Sequence, residues 1–367
     1  GVMAFFDFLS KKGNKVIGAL VAVILTSTVP VLMATENWDD HDRSGRYVAR
    51  DFANNYLNTC EPNAIVFTNG DNDTFPLWYA QEVEGIRTDV RIVNLSLLGT
   101  DWYISQMTRT TYESEPLKIS MGFDQYVQGN RDIVYIMDRV SKPVELKQIM
   151  DFVGSDRIET RYRTPGGELI DYLPSKNLKL TINKEEILSK GVVDAKDAGM
   201  IVDTMQWTIG KEYLQKNEMM VLEIIANNNW ERPIYFVSTG GESDLGLSKY
   251  LRHDGFAYKL VPIEYQSDDF LAVGGVDTEI LYANLMEKFM WGGMNEPGVH
   301  IDYNIQRTAM VLRIRNTFNR LAEELLQQNR VDSAVKVIDR VVEPMDNAFQ
   351  ILSKDGGAMY GDFLKLV

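Results

Sequence analysis

From Ala64 to Gly85 the spacing of apolar and polar positions changes twice, and the changes predict a strand, a loop and a helix. The apolar, β-branched run Ala64-Ile-Val-Phe67 stops at Asn69-Gly70, the residues Asp71 to Thr74 are polar, and an amphipathic pattern begins at Phe75. Gly85-Ile-Arg-Thr-Asp89 then leads into a second apolar run, Val90 to Leu95. Two strands joined by a helix over about thirty residues make a right-handed βαβ unit and imply a parallel sheet. Asp101 to Met107 predicts a helix, Ile133 to Met137 a strand, and Ser141-Lys-Pro-Val144 a helix start with a capping serine and a proline near the first turn. Alternation on both sides of Thr164-Pro-Gly-Gly167, from Arg157 to Tyr172, marks an inserted β-hairpin. Asn177 to Ile182 is a short strand and Asn183 begins a helix. Met219 to Trp230 forms an amphipathic helix that runs into the strand Pro233 to Val237, and Phe256 to Ile263 closes the sheet.

Both ends of the chain depart from this pattern. Val16 to Ala34 carries no charge and is mostly Val, Ala, Ile and Leu, close to the twenty or so residues a spanning helix needs. Lys11, Lys12 and Lys15 precede it, and Glu36, Asp39 and Asp40 follow. The positive-inside rule then puts the N-terminal side in the cytoplasm and everything after Ala34 outside. A buried soluble helix, a signal-peptide core and an interfacial helix compete with the span: Thr26, Ser27, Thr28 and Pro30 count against a membrane, and Leu32-Met33-Ala34 lacks the small-x-small pattern of a cleavage site. From Val276 onward strand signals vanish. Leu281, Leu285, Phe289 and Met290 recur at helical spacing, Trp291-Gly-Gly-Met-Asn-Glu-Pro297 interrupts, and helices follow from about Asp302 to Gln328 and from Val331 to Val342. Phe318, Leu321, Ala322 and Leu325 with Ala334 and Ile338 show the small-and-large alternation of a tetratricopeptide hairpin, which cannot bury its own face and must stack on something. The chain stops at Val367 soon after a further helix begins, as expected of a cut within a repeat array. The fold class expected is therefore α/β: a Rossmann-like, mainly parallel sheet with an inserted β-hairpin, preceded by a transmembrane helix and followed by a tetratricopeptide-like helical region.

Composition narrows the partners. The 367 residues are 45% hydrophobic and 25% charged, the balance of a globular protein long enough for two or more domains. A net charge of -14 with no basic stripe argues against nucleic acid. The single cysteine, Cys60, excludes an internal disulfide framework and a multi-cysteine zinc site.

In an open α/β sheet ligands collect where a strand ends and the next helix presents unpaired N–H groups. Asp71, Asn72, Asp73 and Thr74 occupy that position after the first strand, and Asn94 and Ser238 end two others, so these six are the candidate ligand-binding residues. Asp71-Asn72-Asp73 is also an Asp-x-Asp, the string with which nucleotide-sugar transferases hold a divalent ion on a diphosphate; capping or turn roles compete with it. Ser238-Thr-Gly-Gly-Glu-Ser243 lacks the spacing of a dinucleotide or phosphate loop, and a tight turn explains it better. Asp39, Asp40, His41 and Asp42 are adjacent and cannot easily converge on one ion, so an acidic helix start accounts for them. Ser44, Ser96, His253 and His300 have no triad-like context. Trp38, Trp78, Tyr79, Trp102 and Tyr103 have the chemistry to stack on sugars, although helical spacing also places such residues in cores. No cofactor or metal is expected.

Six longer stretches carry a resemblance: Glu36-Asn-Trp-Asp-Asp-His-Asp-Arg-Ser-Gly-Arg46, Asn69-Gly-Asp-Asn-Asp-Thr-Phe-Pro-Leu-Trp-Tyr79, Glu84-Gly-Ile-Arg-Thr-Asp89, Asp101-Trp-Tyr103, Asn227-Asn-Asn-Trp-Glu-Arg-Pro233 and Trp291-Gly-Gly-Met-Asn-Glu-Pro297. Together they resemble the C-terminal part of a bacterial family of multi-pass membrane proteins, first catalogued as a domain of unknown function and grouped with protein O-mannosyltransferase-like glycosyltransferases of the GT-C type. The resemblance implies a lipid-linked sugar donor and a catalytic acidic residue in an early extracytoplasmic loop between N-terminal membrane helices, a region outside this sequence; no catalytic residue is carried over. It implies that residues 1–35 are a cytoplasmic stub and the last transmembrane helix, 36–275 an extracytoplasmic α/β domain and 276–367 a tetratricopeptide-like region. The function expected is an accessory domain at a bacterial inner membrane, recognising an acceptor or partner protein. A metal-dependent nucleotide-sugar-binding domain and a purely structural oligomerisation domain are the alternatives.

Overall fold

The computed structural model describes residues 1–11, 13–237, 245–266, 273–296, 299 and 312–353. It opens with α1 (Val2–Ser10), packed against α2 (Lys15–Glu36) where a Cβ on Gly18 would stand 3.1 Å from Ser10 Oγ. Asn14 caps α2 by accepting from Val16 N at 2.8 Å. In α2 an 18-residue window reaches a mean hydropathy of 2.4 with 11% of it buried, so this helix is long and apolar enough to cross a membrane and is not wrapped into the body. Two of the three hydroxyls that weakened a membrane reading are satisfied inside the helix: Thr26 donates to Ala22 O and Thr28 to Ile24 O.

The short α3 (Trp38–His41) and then α4 (Val48–Thr59) lead into β1 (Ile65–Thr68), α5 (Asp71–Glu82), β2 (Arg91–Asn94) and α6 (Asp101–Met107). A long insertion follows: α7 (Phe123–Tyr126), β3 (Ile133–Ile136), β4 (Val144–Glu145), α8 (Leu146–Gly154), β5 (Arg161–Arg163), β6 (Leu169–Leu173), β7 (Asn177–Thr181), α9 (Lys184–Ser189), β8 (Thr204–Thr208) and β9 (Tyr213–Gln215). The chain returns through α10 (Lys216–Asn228) to β10 (Ile234–Phe236), β11 (Leu251–His253), β12 (Tyr258–Leu260) and β13 (Gly275–Val276), and ends its described part with α11 (Thr278–Ala283), α12 (Leu312–Gln327) and α13 (Val331–Ser353).

The central sheet has the order β13-β11-β12-β10-β1-β2. Ile65 of β1 pairs in parallel with both Ile234 of β10 and Arg91 of β2, which is the βαβ unit expected. The sheet as a whole is mixed: three of its five pairings are parallel, and β12 runs against the other five strands. Four residues join His253 to Tyr258, and a connection that short forces β11 and β12 antiparallel; β12 also runs antiparallel to β10. The strand expected at Ile133 to Met137 joins a second sheet, β5-β6-β3-β9, rather than the central one, and β4, β7 and β8 form a third. The inserted hairpin is present, with Arg161 opposite Asp171 and Arg163 opposite Leu169. Ser141 caps no helix, however, because Val144 pairs with Leu178 and α8 starts only after that strand.

Alternation along the central strands divides the core in two. Ile65, Phe67, Val93, Ile234 and Phe236 face one layer with residues of α6, α8, α10 and the insertion. Val66, Ile92 and Tyr235 face the other, with residues of α4, α5, α11, α12 and α13. Phe318, Leu321, Ala322, Leu325, Ala334 and Ile338 are all buried, as their spacing requires, and they pack into this second layer. The C-terminal hairpin thus stacks on the sheet's own helical layer. The first part of the helix expected from Asp302, together with Pro297 and His300, lies outside the described residues.

His253 of β11 is buried and stacks on Tyr258, with ring centroids 4.4 Å apart. Burial holds its imidazole down at about 4, Arg320 acts in the same direction, and Asp254 and a backbone hydrogen bond at Gly255 oppose it. A folded-state pKa below the unfolded value of about 6.5 contributes stability that is present above about 6.5 and lost as the pH falls through about 4, on the order of 3 kcal/mol. His253→Gln is expected to flatten the fall in melting temperature across that window, as followed by tryptophan fluorescence.

Candidate functional site

Because β10, β1 and β2 run parallel and adjacent, their C-terminal ends share one edge, where the sequence placed its candidates. The first correction concerns Asp71 to Thr74, which form the opening turn of α5 rather than a loop. Gly70 lies at the cap position, and the Asp71 and Asp73 carboxylates stand at the positive end of the helix. Pro76 sits inside the helix, where it lacks the N–H that would bond Asn72 O.

Thr74 and Asn94 are brought together, but inside the protein. Thr74 is fully buried, with its Oγ1 2.7 Å from Thr68 Oγ1, and it accepts a hydrogen bond from Asn94 Nδ2 at 2.7 Å. Asn94 Oδ1 accepts in turn from Leu97 N at 2.9 Å. These side chains form a knot that fixes α5 to the ends of β1 and β2. Asp73 is half-buried and its carboxylate accepts from Asn69 N at 3.3 Å; burial raises its pKa above the ordinary carboxylate value. Asp71 and Asn72 are exposed. Ser238, with the glycine pair behind it, lies outside the described residues. Among the described residues there is no group of three or more His, Cys, Asp or Glu side chains placed to hold a metal ion.

A second feature lies around the corner of the same sheet. A groove of about 300 Å³ runs along the outer edge of β2, walled by Trp78, Gln81 and Glu82 of α5 and by Trp102, Tyr103 and Gln106 of α6. The two helices cover opposite faces of the sheet, and both overhang this edge. Tyr103 is buried there: its hydroxyl accepts from Asn94 N at 2.9 Å and lies 3.4 Å from Ile92 O, occupying outward-facing peptide groups of the edge strand. Tyr112 closes one end, its hydroxyl bonded to Glu82.

Arg91 also lines the groove and is buried. Its Nε donates to Ser114 Oγ at 3.1 Å and its Nη2 to the carbonyls of Arg109, Ser114 and Glu115, while Nη1 has no acceptor. Arg232 donates to the same Ser114 Oγ at 2.9 Å and to the carbonyls of Asn63 and Glu115. Two guanidinium groups are therefore buried against carbonyls rather than paired with carboxylates. Burial lowers the pKa of Arg91, and burial followed by the nearness of Arg91 brings Arg232 to about 10. Of the aromatic candidates, Trp102, Tyr79 and Trp38 are exposed, Trp78 is half-buried and Tyr103 is internal. Sequence reasoning passed over Arg91, Glu82, Gln106 and Tyr112. A signal existed for the first of these, since a charge inside the apolar run Val90 to Leu95 must find partners wherever it is buried.

The family model of TMEM260-associated domain 2 matches residues 49–280, well over half of the chain. The chain belongs to that family. No curated protein and no solved structure matches it. The part matched to TMEM260-associated domain 2 begins one residue into α4 and ends within α11, so it holds the whole central sheet, the insertion and the groove.

The knot and the exposed carboxylate should separate in a mutational test. Thr74→Val leaves the buried Asn94 amide without its acceptor and is expected to cost about 1–3 kcal/mol of stability, whereas Asp71→Asn should stay within about 0.5 kcal/mol. Denaturant midpoints of the two variants check this; equal losses would contradict the division into knot and surface.

Proposed function

We propose that this chain is the extracytoplasmic portion of a membrane glycosyltransferase of the protein O-mannosyltransferase-like, GT-C type, anchored by α2 in a bacterial inner membrane, and that its body recognises the acceptor or a partner protein. The observation that carries this is the pairing of an uncovered, membrane-length helix with a body of the TMEM260-associated domain 2 family. TMEM260 is a glycosyltransferase-like membrane protein. With Lys11 before α2, Lys15 at its first position and Glu36 at its last, the body lies outside.

On this reading the parallel trio β10-β1-β2, with helices on both faces, is a Rossmann-like core, and α12 with α13 is a tetratricopeptide-like hairpin docked on it. The lipid-linked sugar donor and the acidic residue that serves transfer belong to the membrane-embedded part of the full protein. The body supplies surface, which by holding an acceptor near that site raises its effective concentration.

Transfer by the full protein, compared with a version lacking residues 36–367, tests the proposal. Removal is expected to lower transfer to the acceptor by about tenfold or more, an effect of about 1.4 kcal/mol, with binding of the lipid-linked donor retained. An unchanged rate and unchanged choice of acceptor would overturn it.

A further inference from the structure

We infer that the groove along the outer edge of β2 is a saccharide-binding site that takes a single neutral hexopyranoside ring, a proposal that rests on the acceptor-recognition reading and gives it a ligand chemistry. The walls present the two kinds of surface a sugar ring needs. Trp102 is 55% exposed, and its ring stands edge-on to Tyr103 with centroids 5.5 Å apart. Tyr103 is itself pinned to the backbone of β2, so the indole is backed by an immobile partner. At the end of the groove Tyr112 is 54% exposed and held by Glu82. Large rings of this kind offer apolar surface at low entropic cost, suited to the C–H faces of a pyranose.

The polar groups are placed for hydroxyls. The Gln106 amide is exposed and makes no hydrogen bond within the described chain, so both its donors and its acceptor are free. Glu82 adds acceptor oxygens beyond the one used by Tyr112. Arg91 is 4% exposed and lines the groove, a cation set into its wall. The volume of about 300 Å³ lies at the small end of ligand sites, which fits one ring rather than a chain. An extended peptide added to the sheet is disfavoured because Tyr103 already occupies the outward-facing groups of β2. The Arg91 cation and the Glu82 anion balance, which favours a neutral ligand over a charged one.

The test uses the full chain in lipid nanodiscs, since alkyl glycoside detergents carry the proposed ligand in their headgroups. Methyl α-mannopyranoside, methyl β-glucopyranoside and methyl β-glucuronide are titrated, with binding read by saturation-transfer NMR and calorimetry and with circular dichroism confirming that variants remain folded. A neutral glycoside is expected to bind with a dissociation constant of about 1 mM, about −4 kcal/mol, weakened about tenfold by Trp102→Ala and several-fold by Gln106→Ala. No binding of either neutral glycoside, equal binding by Trp102→Ala, or tighter binding of the glucuronide overturns the proposal. If sugar binding fails while removal of residues 36–367 still impairs transfer, the groove assignment falls and the accessory role stands. If sugar binds and removal changes nothing, the ligand site stands and the acceptor role falls.

Discussion

Three parallel strands with no free face set the terms for the rest of this molecule. In β1 every residue is buried, its side chains alternating between two cores, and β10 and β2 flank it in register. A sheet buried on both sides must carry helices on both sides. That requirement explains why α5 and α6, leaving the ends of β1 and β2, go to opposite layers, and why the C-terminal hairpin is drawn onto the sheet. It also explains the groove. On the β10 side the sheet continues into β12, whereas on the β2 side it stops, and helices from both layers overhang the same strand. Tyr103 closes the outward-facing peptide groups there, leaving an edge resistant to strand addition but accessible to a small ligand.

The second constraint acts on α2. At about 25 cal/mol per Å² of apolar surface, a helix of 22 residues with only Gly18 and Ala22 buried is a poor component of a protein surrounded by water. In a bilayer the same composition becomes favourable, and the internally bonded Thr26 and Thr28 cost little. The anchored topology proposed for the chain follows from that single helix, while the family relation concerns the body behind it.

Much of the architecture could be read from periodicity because burial is strongly patterned. The run Ala64 to Phe67, the helix Met219 to Trp230 and the turn Thr164 to Gly167 each express one local rule, and each is found where that rule puts it. Errors arose where pairing at long range overrode a local signal. Ser141 with Pro143 had the form of a helix start, yet Val144 is taken by β7. Ile133 to Met137 read as a strand with no sheet assigned, and the strand found there belongs to the second sheet. Leu251 to His253 gave no strand signal, because Arg252 and His253 are buried through an ion pair with Asp254 and a ring stack rather than through apolar character. At the candidate site the ends of β1 and β2 were legible in the sequence, but not whether a side chain there points inward or outward. Thr74 and Asn94 point into a knot, Asp71 points to water, and the groove a few residues away depends on Arg91 meeting Ser114, a contact between segments that no local pattern records.

On the proposed topology a double-sided sheet presents its aromatic edge groove on the outer side of a membrane crossed by α2. Cys60, the one cysteine of the chain, is buried and its thiol is pushed far up by that burial, so it does not compete for alkylation. Two single-cysteine additions, Gln106→Cys in the groove and Lys11→Cys before α2, can therefore be exposed in sealed right-side-out vesicles to a maleimide that does not cross membranes. The account predicts that Gln106→Cys is labelled at once and Lys11→Cys only after the membrane is opened; labelling of both before opening, or the reverse order, would contradict it.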